Sequence, residues 1–424
     1  MKKVLTLLIL LATTSSVLAQ SKLIKAASFL DVRTGKLISP ANVLIENGSI
    51  KSINPKALPD GLETIDLTGK ILLPGLMDMH VHLDGEFKGN WDYVYKESAS
   101  QGTIRAVANA EKTLMAGFTT IRSIGQLHIT PELIDVAVSE ASDQGTIAAP
   151  RIIPSGHMIT ISGGHGDISL GLAEGLVTVG PNDGVINGKY DAIEAVRYQI
   201  KHGAKFIKMH ATAGVLSMED AIGAQQLSNE EMKTIVDEAA RHHIKVAAHA
   251  HGTEGIKEAI KAGVYSIEHG SIIDDEGIQL MKENGVYLVP TRGLATIIEP
   301  MIDKMDPVMA GKAEYVMPIA KQNLTKAIKA DVKIAFGTDT PIIPHGKNAI
   351  EFAALIDCGM STKEAIKTAT TNSAEMLGLT DRGELKEGML ADIIAVDTNP
   401  IEDISTLEHV KFVMKNGTVY KNEK

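Results

Sequence analysis

The sequence predicts an α/β fold: a (β/α)8 TIM barrel carrying a small β-sandwich domain built from both chain ends. Three observations lead there. Short apolar runs alternate eight times with helix-forming stretches across roughly 300 central residues, the pattern of a barrel. Two β-textured pieces flank that region, each with an Asn-Gly turn. Each flank is too short to bury a core alone, so the two are expected to combine. The expected division is 1–19 as a signal peptide, 20–73 and 380–424 as the composite β-sandwich domain, and 74–379 as the barrel.

The leader reads Met1-Lys2-Lys3, an apolar run over 4–12, and Val17-Leu18-Ala19. A charged start, a short apolar stretch and small residues at the cut describe a secretory signal peptide cleaved after Ala19. A run this short cannot cross a hydrocarbon core of about 30 Å, so no membrane anchor is expected. The protein is expected outside the cytoplasm, periplasmic or secreted.

Residues 26–32, 42–46 and 49–53 read as strands, with Asn47-Gly48 as a type I′ hairpin signal between the last two. The tail repeats the texture at 391–396, 410–414 and 418–420, with a turn at Asn416-Gly417. In between, the expected barrel strands are 71–80, 119–124, 151–155, 205–209, 245–249, 265–269, 286–290 and 333–336. Segments 229–242 and 256–262 place apolar residues three and four apart, as an amphipathic helix does. A doubly wound open sheet fits the same alternation, but the strand count favours the barrel.

Composition narrows the function. With 44% hydrophobic and 22% charged residues, the chain is not a disordered one. A net charge of −10 argues against a nucleic-acid binder, whose footprint is basic. A single cysteine rules out an internal disulfide. Cys358, at an expected helix end, reads as a small buried residue rather than a nucleophile. The fourteen histidines matter by position.

The first barrel run ends Asp78-Met79-His80-Val81-His82. Side chains two apart on a strand share a face, so His80 and His82 converge. A lone His-x-His is common by chance. Here His249, His269 and Asp339 close or follow three other runs, and barrel strand ends share one mouth. Singly, each reads as a core histidine or a helix-capping aspartate; together they read as a metal site. Lys208 lies in the apolar run Phe206-Ile207-Lys208-Met209, where an unpaired ammonium costs several kcal/mol. It is either a lysine snorkelling at a strand end or an amine that reacts with carbon dioxide to give a carbamate bridging two cations.

The segments Gly75-Leu76-Met77-Asp78-Met79-His80-Val81-His82, Lys208, His249, His269 and Gly337-Thr338-Asp339 resemble the binuclear amidohydrolase superfamily. The runs Ser162-Gly163-Gly164-His165-Gly166-Asp167, Ala248-His249-Ala250-His251-Gly252 and Ser266-Ile267-Glu268-His269-Gly270 are similar to its imidazolonepropionase-related branch. That branch holds prolidase-type Xaa-Pro and other Xaa-Xaa dipeptidases, and ochratoxin-hydrolysing amidohydrolases are similar too. The resemblance implies two divalent metal ions, expected to be zinc: His80, His82 and Asp339 on one, His249 and His269 on the other, with carbamylated Lys208 bridging. His165 and His251 match substrate-contact positions. One departure is His210, where an apolar residue is expected, with Ala213 standing in place of glycine. His210 shares a face with Lys208 and is either a substrate ligand or a hydrogen-bonded neighbour of the site.

The activity implied is amide hydrolysis by metal-bound hydroxide, with Asp339 moving the proton to the leaving nitrogen and His165 or His251 stabilising the oxyanion or holding a substrate carboxylate. Arg292, after the seventh strand, is a further carboxylate candidate; its plain reading is a surface salt bridge. The expected substrates are Xaa-Pro or Xaa-Xaa dipeptides, cleaved in a dipeptidase or carboxypeptidase-like manner, and ochratoxin-type amides. The alternatives are a mononuclear cyclic amidohydrolase or deaminase, and a non-catalytic periplasmic metal- or peptide-binding protein. Loops 171–190 and 294–312 are expected to shape the pocket, the first as a Gly-rich lid. The partners expected are a small amide or dipeptide and further copies of the chain, with neither nucleic acid nor membrane.

Overall fold

The computed structural model describes residues 21–87, 92–217 and 221–423. The expected signal peptide, 1–19, lies outside the described residues.

The two chain ends meet in one eight-stranded sheet. Lys22–Asp31, Ala41–Glu46, Ser49–Ile53 and Glu63–Pro74 are joined by Ile393–Val396, Phe412–Lys415 and Thr418–Asn422, with Lys36–Ile38 at one side. The seam is antiparallel, pairing Ile393 with Pro74 and Val396 with Ile71. Side-chain alternation explains how the seam is held. Leu72, Ile393 and Ala395 face the sheet's own core, while Ile71, Leu73, Ile394 and Val396 join the main core of the molecule. A one-residue slip would exchange the two faces. Both hairpin turns have the geometry their sequences predict: φ is 51° and 75° at Asn47 and Gly48, and 52° and 74° at Asn416 and Gly417.

Among the described residues the central region carries three parallel sheets: Leu76–Val81 with Phe118–Ser123 and Arg151–Pro154; Ile207–His210 with Val246–Ala250, Ser266–His269 and Tyr287–Val289; and the short pair Thr160–Ile161 with Val185–Ile186. Isolated parallel bridges continue the pairing at Ile159 with Met209, Leu288 with Ile334, and Val81 with Thr340. The strands are almost wholly buried, as expected where helices cover a parallel sheet. The helix Asn229–Arg241 begins with a capping box between Ser228 and Glu231. The next helix, Thr253–Ala262, contains the expected 256–262 segment.

Two expected strands are corrected. Residues 71–80 are not one element: Glu63–Pro74 belongs to the terminal sheet and Leu76–Val81 to the parallel one. Gly75 makes the division. Its N–H donates to Asp392 O at 2.9 Å, and a Cβ there would lie 2.2 Å from Thr119 Oγ1. Residues 333–336 form no strand. Their backbone groups are shared out instead: Lys333 O accepts from Leu288 N, Phe336 N donates to Thr368 O, and Phe336 O accepts from Met79 N. No helix among the described residues is long and apolar enough to cross a membrane.

Candidate metal centre and pocket

The C-terminal ends of the parallel strands open into one cavity of about 370 Å3. His80, His82, His165, Lys208, His210, His249, His251, His269 and Asp339 all line it. The structure therefore brings together every expected site residue except Arg292. The Arg292 guanidinium instead donates to Met317 O at 3.3 Å, and its backbone N–H donates to Glu351 Oε1 at 3.0 Å. It ties its own turn to the helix Pro307–Lys329, outside the cavity lining, and the expected carboxylate role is not supported by its position.

Three groups of donor atoms lie within 4.8 Å of one another: His80, His82 and Asp339; His249, His251 and His269; and His165, His210 and His249. In the first group, Asp339 Oδ1 is 3.3 Å from His80 Nε2 and 3.4 Å from His82 Nε2. The ring positions are fixed from behind. His80 Nδ1 donates to Glu268 Oε2 at 2.9 Å and His82 Nδ1 donates to Gly125 O at 2.7 Å. His251 Nδ1 pairs with Ser271 Oγ and His269 Nδ1 with Thr291 Oγ1, each at 2.8 Å. Each Nδ1 is thereby occupied and the Nε2 atom faces the cavity, the arrangement that prepares an imidazole to ligate a metal. His249 Nε2 is buried with no hydrogen-bond partner, an orphan that a cation would satisfy. The donors present thus fit divalent metal ions. Burial holds the pKa of His249 and His269 well below the ordinary range and that of His251 down to about 3, so all three are neutral and able to bind metal.

Lys208 is 1% exposed. Burial pulls its pKa down to about 8, against the opposing pull of the Glu268 and Asp339 charges. His210 serves as a support as well as a wall: its Nδ1 donates to His165 O, and burial keeps it neutral. The His165 ring in turn stacks on His249, with centroids 4.3 Å apart. Cys358 is buried at a helix end, away from the cavity, as expected.

The profile of the amidohydrolase family matches residues 71–420. The chain belongs to the amidohydrolase family. It is a hydrolase acting on amide or peptide C–N bonds. It is 37% identical over 377 residues to the ochratoxinase of Aspergillus niger, covering 83% of this chain and 76% of that protein. The crystal structure of that ochratoxinase matches with a TM-score of 0.83 and 32% identity, covering 95% of this chain and 96% of that one. The crystal structure of a Xaa-Pro dipeptidase with bound methionine in the active site matches with a TM-score of 0.89 and 38% identity, covering 95% and 100% of the two chains.

Several residues that shape this amidohydrolase's site carried no sequence role. Glu268 is fully buried and accepts from Arg122 Nη2 at 2.7 Å, Ser266 Oγ at 2.6 Å and His80 Nδ1. Burial alone would raise its pKa, but the Arg122 charge and His80 hold it down to about 2. Asp78 accepts from Thr338 Oγ1 at 2.6 Å and Asn348 Nδ2 at 2.8 Å, tying the first strand to the segment that carries Asp339. Glu268 and Arg122 were detectable in principle: a charge inside an apolar strand must find a partner. The pocket loops also shift. The first expected loop, 171–190, reaches the cavity only through Gly171, while residues 165–168 and Leu170 just before it form the wall. Leu294 and Met309, in the second expected loop, do line it.

Proposed function

We propose that this amidohydrolase is an exported binuclear-metal dipeptidase or carboxypeptidase-like enzyme, acting on Xaa-Pro or Xaa-Xaa dipeptides and on ochratoxin-type amides with an apolar side chain. The observation that carries the reading is the convergence of two donor groups, with Lys208 beside them, on one cavity whose outer wall is apolar. Val94, Leu127, Ile168, Leu216, Leu294 and Ile342 supply much of that wall. The parallel strands are read as one closed (β/α)8 barrel with the terminal sheet as its β-sandwich companion. The leader-like residues 1–19 support export.

His80, His82 and Asp339 would hold one ion and His249 and His269 the other, with Lys208 as a bridging carbamate and zinc as the expected metal. The amine that burial leaves partly neutral forms the carbamate by attacking carbon dioxide and losing a proton. Two bound cations would supply a water made nucleophilic near neutral pH and a Lewis acid for the amide carbonyl. Asp339, kept ionised by the surrounding histidines against the cost of burial, accepts the attacking water's proton and returns it to the leaving nitrogen. His165 and His251 face the same space and are placed to hold the developing oxyanion or the substrate carboxylate.

A kinetic screen tests this directly. Zinc-reconstituted protein is assayed on Xaa-Pro, Xaa-hydrophobic and Xaa-Arg/Lys dipeptides and on ochratoxin A. The reading expects turnover with a preference for apolar side chains. Turnover of cyclic amides alone, or of none, would reject it.

A further inference from the structure

One side of the cavity is formed by Val94, Tyr95 and Leu127. None of the three lies in a strand. Val94 and Tyr95 sit in the short 3-10 turn Asp92–Tyr95, and Leu127 in the loop after Phe118–Ser123. The side chain that joins these two segments is His128, 1% exposed and outside the metal centre. Its Nδ1 donates to Asp84 Oδ2 at 2.8 Å and its Nε2 to Glu97 Oε2 at 3.1 Å. Asp84 Oδ2 also accepts the backbone N–H groups of Leu127 and His128, each at 2.8 Å. Both Glu97 oxygens are gripped by Arg105, whose guanidinium lies 4.5 Å over the Tyr93 ring. Tyr93 in turn stands edge-on to His128 at 5.9 Å. The space is filled: a Cβ at Gly102 would come within 3.0 Å of the His128 ring.

We propose that His128 is a positioning residue that sets the side-chain preference of the pocket, clamping the wall of Val94 and Tyr95 to that of Leu127 through Glu97 and Asp84. The inference rests on the amide-hydrolase reading for its substrate and deepens it. A carboxylate on each ring nitrogen requires an N–H on both, so the clamp is complete only for the imidazolium. Burial disfavours that form, and the Asp84 and Glu97 charges more than restore it, raising the pKa above the ordinary histidine range. The groups facing the ring are Asp84, Glu97 and Tyr93, with Arg105 behind Glu97 and Asp135 and His157 within electrostatic reach of Asp84. As pH rises through that raised value one bond is lost and the wall loosens.

The test is H128Q, which donates to one carboxylate only, assayed on amides that differ solely in side chain. KM for the phenylalanyl and leucyl substrates is expected to rise roughly 10-fold, the scale of one lost charge-assisted hydrogen bond. KM for the alanyl substrate and kcat for all three should stay within about twofold. In the parent protein, KM for the large substrates should climb at alkaline pH, and in H128Q it should not. E97Q, at a side chain 19% exposed, gives the same split in milder form and keeps the test alive should H128Q fail to fold. Hydrogen exchange over residues 92–98 and 126–130 reads the clamp without catalysis and should quicken in both variants. A uniform rise in KM, a fall in kcat alone, or unchanged exchange would overturn the proposal. Absence of any amide turnover by the parent would reject the functional reading separately, leaving exchange to judge the clamp.

Discussion

Glu268→Gln separates what stabilises the fold from what prepares the site for metal. The substitution keeps the volume and removes a charge that is wholly buried. Glu268 Oε1 accepts from Arg122 and Ser266, while Oε2 accepts from His80 Nδ1. A glutamine that keeps its oxygen toward Arg122 turns its amide N–H toward His80. His80 Nδ1 must then accept, and the ring proton moves to Nε2, the atom 3.3 Å from Asp339. The lone pair intended for a cation is lost. Second-layer changes of this kind cost roughly 10–100-fold in metal affinity or activity. A buried guanidinium left without its carboxylate costs up to roughly 3–5 kcal/mol, softened here because the glutamine oxygen still accepts from Arg122. Zinc titration against a competing chelator reads the first effect and thermal denaturation the second. Adding Arg122→Met should recover part of the stability and none of the metal affinity. Unchanged zinc affinity and activity in Glu268→Gln would refute the tautomer argument.

Further outcomes follow from the same geometry. Lys208→Ala should lower kcat/KM by at least about 100-fold and reduce the bound metal per chain; near-normal activity would sink the binuclear proposal. Arg292→Ala should leave KM for carboxylate substrates unchanged, since its guanidinium reaches Met317 O rather than the cavity; a large rise in KM would return it to the site. Gly214→Ala should cut activity, because its Cβ would come within 2.4 Å of the His165 ring, whereas Gly311→Ala meets nothing and should stabilise its helix by about 0.5–1 kcal/mol in a thermal melt. Burial raises the pKa of Glu351 to about 8, so folding holds its proton while the unfolded chain releases it near 4.5. Its contribution is therefore lost as pH rises from 4.5 toward 8, by up to about 1.4 kcal/mol per pH unit. Glu351→Gln should flatten that slope in pH-dependent urea unfolding, and an unchanged slope would show that another group sets it.

The candidate metal ligands were readable because spacing places them. His80 and His82 share a face by alternation, and strand ends converge wherever parallel strands run together. Alternation also misleads. The pairing of His249 with Glu268 and of Ala250 with His269 puts Glu268 on the face of Lys208 and His249, and His269 on the opposite one. Yet both Glu268 and His269 serve the site. The structure resolves this at one backbone angle: φ at His269 is +71°, a left-handed conformation that non-glycine residues rarely adopt. It turns the ring back into the mouth. Thr291 (+50°), just after Tyr287–Val289, and Asp339 (+59°) adopt the same left-handed conformation. Nothing in the local sequence announces such a turn, which a residue holds only where its surroundings over-determine it. The supports Gly125 O, Ser271 and Thr291 were equally hidden, because they depend on register between distant segments. The division at Gly75, by contrast, had a local signal in the Pro74-Gly75 pair that interrupts the apolar run, and contacts with Asp392 and Thr119 fix it there.

Charge balance then argues for the form of Lys208. Arg122 and Glu268 cancel one another in the buried interior. Burial keeps His210, His249, His251 and His269 neutral, which leaves Asp339 as the one carboxylate among the expected metal ligands. With Lys208 as an ammonium, its charge would cancel that of Asp339 among these ligands and oppose the approach of a cation. With Lys208 neutral, the ligands carry one negative charge between them, against the four positive charges of two divalent ions. Conversion of the amine to a carbamate adds the second anion between the two donor groups, and only then do the histidines on both sides have reason to be held with their Nε2 atoms toward the same space. A lysine whose burial lowers it to about 8 has the neutral fraction this requires. Zinc stoichiometry measured with and without bicarbonate decides it: two ions per chain with bicarbonate and about one without are expected. Two ions bound equally well in carbonate-free buffer would mean that Lys208 stays an amine and that the second site is held by its histidines alone.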